Sequence, residues 1–166
     1  VHQTALTGWG RIAKRLFDIA ASLLGIIILS PLFIIIAILV RLSDWGPSLF
    51  KQKRLSRFNT TINIYKFRSM KMEYSGLLPE EGFAKMGKPE LATEYRKNGD
   101  FLPNDPRVTK LGNFLRKTSL DELPQLFNIL KGDISLVGPR ALVPRELASY
   151  PFKNLLLSVK SGLTGL

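Results

Sequence analysis

Residues 19–40 run IAASLLGIIILSPLFIIIAILV, twenty-two positions without a charge. As a straight helix this is about 33 Å long, enough to cross a hydrocarbon core of about 30 Å. Apolar residues occupy every face, so the segment is not an amphipathic surface helix. It does not read as a signal peptide either, because Arg41-Leu42-Ser43-Asp44-Trp45 follows where a small-residue cleavage site belongs. Ser30-Pro31 stands at its middle. Pro31 lacks the N–H that would bond the carbonyl of Ile27, although the Ser30 hydroxyl can take that carbonyl instead.

The flanks set the topology. Arg11, Lys14 and Arg15 precede the run, and Arg41, Lys51, Lys53, Arg54 and Arg57 follow it. The positive-inside rule draws both ends to the cytoplasmic face. A helix broken at Ser30-Pro31 that enters and leaves by one side meets both constraints, and a kinked spanning helix is the competing reading. Trp45 and its basic neighbours suit an interfacial anchor.

Charge is unevenly spread. Of 24 Lys and Arg against 13 Asp and Glu, residues 1–71 hold eleven basic and only two acidic residues. A basic collar around an apolar run points to anionic lipid before nucleic acid, for which no binding motif is present. The lack of cysteine excludes disulfides, thiolate metal sites and thiol nucleophiles, and His2 is the lone histidine. Any catalysis therefore rests on carboxylates, Lys, Arg, hydroxyls or a borrowed metal.

Beyond Gly46-Pro47 the pattern changes. Thr61-Ile62-Asn63-Ile64-Tyr65-Lys66-Phe67-Arg68 reads as a strand. Residues 72–106 form a variable excursion with a short helix near 89–96. Leu111, Phe114 and Leu115, then Leu123, Leu126, Phe127 and Leu130, mark two helical faces. Ser119 and Glu122 match a capping box, Pro124 fits only near a helix start, and Lys131-Gly132-Asp133 ends that helix. Ile134-Ser135-Leu136-Val137 is a short apolar run, and Leu155-Leu156-Leu157 with Val159 offers a face for the membrane surface.

This pattern puts Asp121 and Glu122 at a helix N-terminus, where the dipole favours the anion. A carboxylate pair beside Arg116, Lys117 and Arg140 suits polyanionic phosphate: arginine forks bind its oxygens, and carboxylates recruit Mg²⁺. An ionised Asp can also attack phosphorus. By themselves the same residues equally read as first-turn acids, Arg140 as a solvated turn arginine, and Lys66 and Arg68 as the outer face of a strand.

Several segments together resemble the bacterial sugar transferase family, the monotopic phosphoglycosyl transferases. They are Lys14-Arg15-Leu16-Phe17-Asp18, Ser30-Pro31, Ile64-Tyr65-Lys66-Phe67-Arg68-Ser69-Met70, Asn104-Asp105-Pro106-Arg107-Val108-Thr109, Leu115-Arg116-Lys117-Thr118-Ser119-Leu120-Asp121-Glu122-Leu123-Pro124-Gln125-Leu126 and Leu130 through Arg140. The resemblance implies a two-step exchange. A nucleotide diphosphate sugar, usually a UDP-sugar, passes its phosphosugar to Asp121, and polyprenyl phosphate then takes it. Glu122 completes the dyad and Mg²⁺ binds there, while Lys66, Arg68, Arg116 and Arg140 become substrate contacts.

The fold implied is α+β and α-rich. Residues 1–45 form the basic flank and a re-entrant membrane helix. Residues 46–166 form a small cytoplasmic catalytic domain with a short β element and interfacial amphipathic helices, on the inner membrane of a bacterium. Self-association is compatible with it. Three departures stand out: Ala141 where the family usually has a second proline, a missing glycine near Ser56-Arg57, and an end at Leu166 where members run on, which reads as C-terminal truncation. The non-enzymatic alternative is a basic module on the membrane surface that binds anionic lipid or a partner protein.

Overall fold

The computed structural model describes residues 8–144 and 157–165; His2, Leu155 and Leu156 lie outside them. Helix α1 spans Trp9–Asp44 and is the one described helix long and apolar enough to cross a membrane. Most of its apolar side chains, such as Leu24, Ile28 and Ile35, are exposed. The expected break at Ser30-Pro31 does not interrupt it. Ser30 Oγ donates to the carbonyl of Ile27 at 2.8 Å, so the acceptor that Pro31 leaves unpaired is satisfied and the helical turns continue.

Strands β1 (Leu49–Leu55) and β2 (Thr61–Phe67) form a two-stranded sheet. The second matches its sequence pattern, whereas β1 was not foreseen, because Lys51, Lys53 and Arg54 dilute its apolar signal. Short helices α2 (Pro79–Lys85) and α3 (Glu90–Lys97) fill the excursion, followed by α4 (Lys110–Lys117) and α5 (Gln125–Lys131). Strand β3 (Ser135–Val137) pairs in parallel with β4 (Gly162–Thr164), in the register Ser135 to Gly162 and Val137 to Thr164. The described chain is thus α-rich with a few strands, an α+β arrangement.

The chain divides into two compact units, and the division falls inside α1. The first comprises residues 1–34, 50–66 and 122–166. Its core is Ile64, Leu126, Ile129 and Ile134, against which Ile26, Leu29 and Phe33 of α1 pack. Phe33 meets Phe127 edge-on with ring centroids 5.7 Å apart. Polar ties fix the start of α1 to the same core. Buried Asp18 accepts from Ser135 Oγ at 2.7 Å and from the Leu136 N–H at 3.3 Å, and Lys14 pairs with Asp18. Arg15 donates to the carbonyls of Ile129 and Leu130 at 2.6 and 2.8 Å, closing the end of α5. Gly132 follows at φ +94, the left-handed geometry that a helix terminator needs.

The second unit comprises residues 35–49 and 67–121. Phe83, Ala92 and Leu102 make a small core between α2 and α3. Arg107 is buried there, 3.8 Å from the centroid of the Phe83 ring and 2.6 Å from Asp105, so the Asp105-Pro106-Arg107 segment holds the excursion together. Helix α4 starts at Thr109, whose hydroxyl accepts from the Gly112 N–H at 2.8 Å.

Candidate active site

The first unit contains an open cavity of about 540 Å³, within the range of small-molecule sites. Lys66 reaches it through the two-residue period of β2, which sets Ile62, Ile64 and Lys66 in one row. Its Nζ lies 2.6 Å from Glu122 Oε1 in a partly exposed ion pair. Arg140 arrives from the loop after β3. That loop is held by Gly138 N–H donating to Thr164 O at 3.1 Å and by Gly162 N–H donating to Pro139 O at 2.9 Å. A Cβ on Gly162 would sit 2.1 Å from Gly138 N, so the two backbones touch only because both residues are glycine. The Arg140 guanidinium is exposed, with no hydrogen-bond or ion-pair partner among the described residues.

Two cavity residues were missed in the sequence. Arg54 donates to Ala141 O at 3.2 Å and to Gln52 Oε1 at 3.0 Å, and Gln125 opens α5. The basic run from Lys51 to Arg57 held the only signal for Arg54, which was read as part of a membrane-facing collar. The cavity therefore gathers three cations, Arg54, Lys66 and Arg140, against one carboxylate, Glu122, over an apolar floor of Ile64, Ile134 and Leu163. Such a site favours an anionic ligand with several oxygens. Nearby in the same unit, Lys160 donates to Gly132 O at 2.7 Å. Burial first, and then the charge of Arg15, hold its amine below the usual lysine value.

The other expected residues belong to the second unit. Asp121 is buried in the short 3₁₀ turn Leu120–Glu122. The acid pair therefore precedes α5 in a turn of its own rather than occupying the helix's first turn. The capping box does not form around it: Ser119 has φ +56, not the extended geometry of an N-cap, and it ends α4 instead. Arg116 Nε donates to Ser69 Oγ at 2.8 Å. Arg68 is buried and turned inward. It pairs with Asp44 at 3.1 Å and donates to the carbonyls of Pro47 and Val40, so it secures the end of α1.

A family model described as bacterial sugar transferase matches residues 9–166. The chain belongs to the bacterial sugar transferase family. Among relatives, it is 47% identical over 158 residues to the undecaprenyl-phosphate galactose phosphotransferase of Salmonella typhimurium, which covers 94% of the chain and 32% of that protein. It is 42% identical to the exopolysaccharide production protein ExoY of Rhizobium meliloti, over 95% of the chain and 68% of that protein. It is 39% identical to the UDP-glucose:undecaprenyl-phosphate glucose-1-phosphate transferase of Escherichia coli, over 99% and 32%. The chain thus spans about a third of the first and third of these proteins. In this sugar transferase chain, Ala141 both lines the cavity and supplies the carbonyl that holds Arg54.

Proposed function

We propose that this chain carries the catalytic part of a membrane phosphoglycosyl transferase. It moves a sugar 1-phosphate from a nucleotide diphosphate sugar, a UDP-sugar by analogy with the Escherichia coli relative's name, to undecaprenyl phosphate. The observation that carries this reading is the cationic cavity of Arg54, Lys66 and Arg140 around Glu122 in a member of this family. Guanidinium and ammonium groups over an apolar floor suit a diphosphate joined to less polar sugar and base.

The chemistry proceeds in two displacements. An Asp121 carboxylate oxygen attacks the phosphorus that bears the sugar. The phosphoanhydride bond breaks, and its electron pair leaves with the nucleoside monophosphate. A phosphate oxygen of the polyprenyl acceptor then attacks the same phosphorus, and the Asp121 carboxylate departs. The acceptor is already an anion near neutral pH, so no strong general base is needed. Lys66 and Arg140 bind the diphosphate oxygens, and Lys66 orients Glu122 through their 2.6 Å pair.

Bound Mg²⁺ would offset diphosphate charge, with Asp121 and Glu122 as its protein ligands. The donor set fits. No cluster of three or more His, Cys, Asp or Glu side chains exists among the described residues, and Mg²⁺ needs none, since it keeps water and phosphate oxygens beside one or two carboxylates.

We place α1 in the inner membrane as a re-entrant helix, kinked at Pro31 without loss of helical turns, with the catalytic part on the cytoplasmic face. Single cysteines at Thr7 and Trp45 should both resist a periplasm-only thiol reagent, and labelling of one alone would establish a spanning helix.

The deciding assay is release of nucleoside monophosphate from a panel of UDP-sugars with Mg²⁺ and undecaprenyl phosphate, for the chain and its Asp121→Asn variant. Release that the variant abolishes, with a phosphosugar trapped on Asp121, supports the two-step path. Release without any trapped adduct favours direct transfer. Silence across the panel, in the chain and in a form extended beyond residue 166, returns the lipid-binding module to first place.

A further inference from the structure

The turn that joins β1 to β2 carries a bulky residue where the backbone disfavours one. Thr60 N–H donates to Arg57 O at 3.2 Å, closing a turn whose central residues, Phe58 and Asn59, have φ +55 and +60. Two consecutive left-handed residues are the pattern that Asn-Gly usually fills, and a phenylalanine there is rare. Folding does not recover this through burial, because Phe58 remains 69% exposed.

Its surroundings are cationic. The Arg57 guanidinium lies 4.3 Å from the Phe58 ring centroid. Behind it, the alternation of β1 exposes Lys51 and Lys53 on one face. None of Lys51, Lys53 or Arg57 has an ion-pair partner among the described residues. The tip is also tethered. Phe58 N–H donates to Leu157 O at 2.8 Å, and Arg57 Nε donates to Ser158 O at 3.2 Å.

The opposite face of the hairpin shows where this surface lies. Ile62 and Ile64 of β2 join the core on which Ile26, Leu29 and Phe33 pack, and those three belong to the uncharged run of α1. The hairpin is therefore fastened directly to the membrane segment within one unit. An exposed aromatic stacked by one guanidinium, at the tip of a hairpin whose outer face carries two lysines and whose inner face packs on such a segment, has the chemistry of the bilayer interface.

We propose that the β1–β2 hairpin is an interfacial anchor: Phe58 enters the boundary between headgroups and acyl chains, and Lys51, Lys53 and Arg57 engage the phosphates of an anionic bilayer. Its consequence is that the cavity edge formed by Arg54 and Lys66, on these same two strands, is held at a fixed height above the membrane. The proposal rests on the placement of α1 in the bilayer, and the test separates the two.

The chain has no cysteine, so one introduced residue carries a unique spin label. Nitroxides at Phe58→Cys and, separately, Ile28→Cys would be compared in vesicles of phosphatidylethanolamine with and without phosphatidylglycerol, by collision with oxygen and with a water-soluble nickel chelate. Position 58 should favour oxygen in the anionic vesicles. Its collision rate with the chelate should rise several-fold when phosphatidylglycerol is omitted or when Lys51→Glu and Lys53→Glu are combined. If position 28 is shielded from the chelate while position 58 meets it freely in anionic vesicles, the hairpin faces water or a protein partner and the proposal is overturned. If position 28 also meets the chelate freely, the membrane placement of α1 fails and the proposal with it.

Discussion

Replacing Gly112 by alanine should destabilise the protein, against the ordinary rule for helices. In an exposed helix interior, Gly→Ala gains about 1 kcal/mol from propensity. Gly112 lies inside α4, but a Cβ built there falls 2.0 Å from Ser69 O and 2.7 Å from Ser69 C. Side-chain carbons essentially never approach closer than 3.0 Å, so helix and backbone must part by at least 1.0 Å. That movement breaks the Thr109 N–H bond to Ser69 O at 3.0 Å and the Arg116 Nε bond to Ser69 Oγ at 2.8 Å. One neutral bond is worth about 1 kcal/mol and one from a charged donor about 1.5–3 kcal/mol. Less the propensity gain, the net loss is about 1.5–3 kcal/mol. In a protein of this size that corresponds to a fall in Tm of about 3–12 °C. Thermal melts of the purified protein in detergent measure it, with Gly82→Ala as a control. The added Cβ at Gly82 meets side-chain atoms alone, Arg107 Cδ at 3.3 Å and Nη1 at 3.7 Å, which need give only a few tenths of an ångström, so that variant should lose far less than Gly112→Ala. A Gly112→Ala protein that melts at or above the wild-type temperature would refute the close-approach argument.

Ser119→Gly should stabilise by about 0.5–1 kcal/mol, because φ +56 is a strained conformation for serine and a free one for glycine; a lower Tm for this variant would show that the hydroxyl does more than the backbone argument allows. Arg54→Lys removes the fork that spans Ala141 O and Gln52 Oε1, so KM for the nucleotide sugar should rise about fivefold to tenfold with kcat little changed. Steady-state kinetics in which kcat falls and KM holds would contradict this positioning role. Since Lys160 has a lowered pKa in the folded state, the unfolded chain binds its proton more tightly, and this site's contribution to stability should increase as pH rises toward 10.5. The difference in Tm between wild type and Lys160→Met, followed from pH 8 upward, checks this; a difference independent of pH would refute it.

The candidate site was legible in parts. Lys66, Glu122 and Arg140 could be named from their chemistry and from the segments around them, and all three line one cavity. Arg68 looked equivalent to Lys66 because they stand two residues apart on a strand pattern. Its guanidinium is instead consumed by Asp44, Pro47 and Val40, partners that no local reading of residues 61–68 contains. The dyad's setting was misjudged for a related reason. Ser119 and Glu122 have the spacing of a cap, but the turn that ends α4 claims Ser119 first.

What the sequence by itself determined was everything set by neighbours within about a turn. The uncharged run had to be helical and apolar on every face, although its continuity through Ser30-Pro31 was decided only in the folded chain. The period-two pattern at residues 61–67 had to be a strand, and Gly132 had to close a helix, because side-chain sterics and backbone hydrogen bonds act over a few residues. Which distant groups meet was settled only by the folded chain. Lys66 and Glu122 are 56 residues apart and Arg15 and Leu130 are 115 apart, yet both pairs are within hydrogen-bond distance. Burial of shared apolar surface brings such segments together, and only then does the lowered polarity make each exposed charge seek the nearest opposite charge or carbonyl.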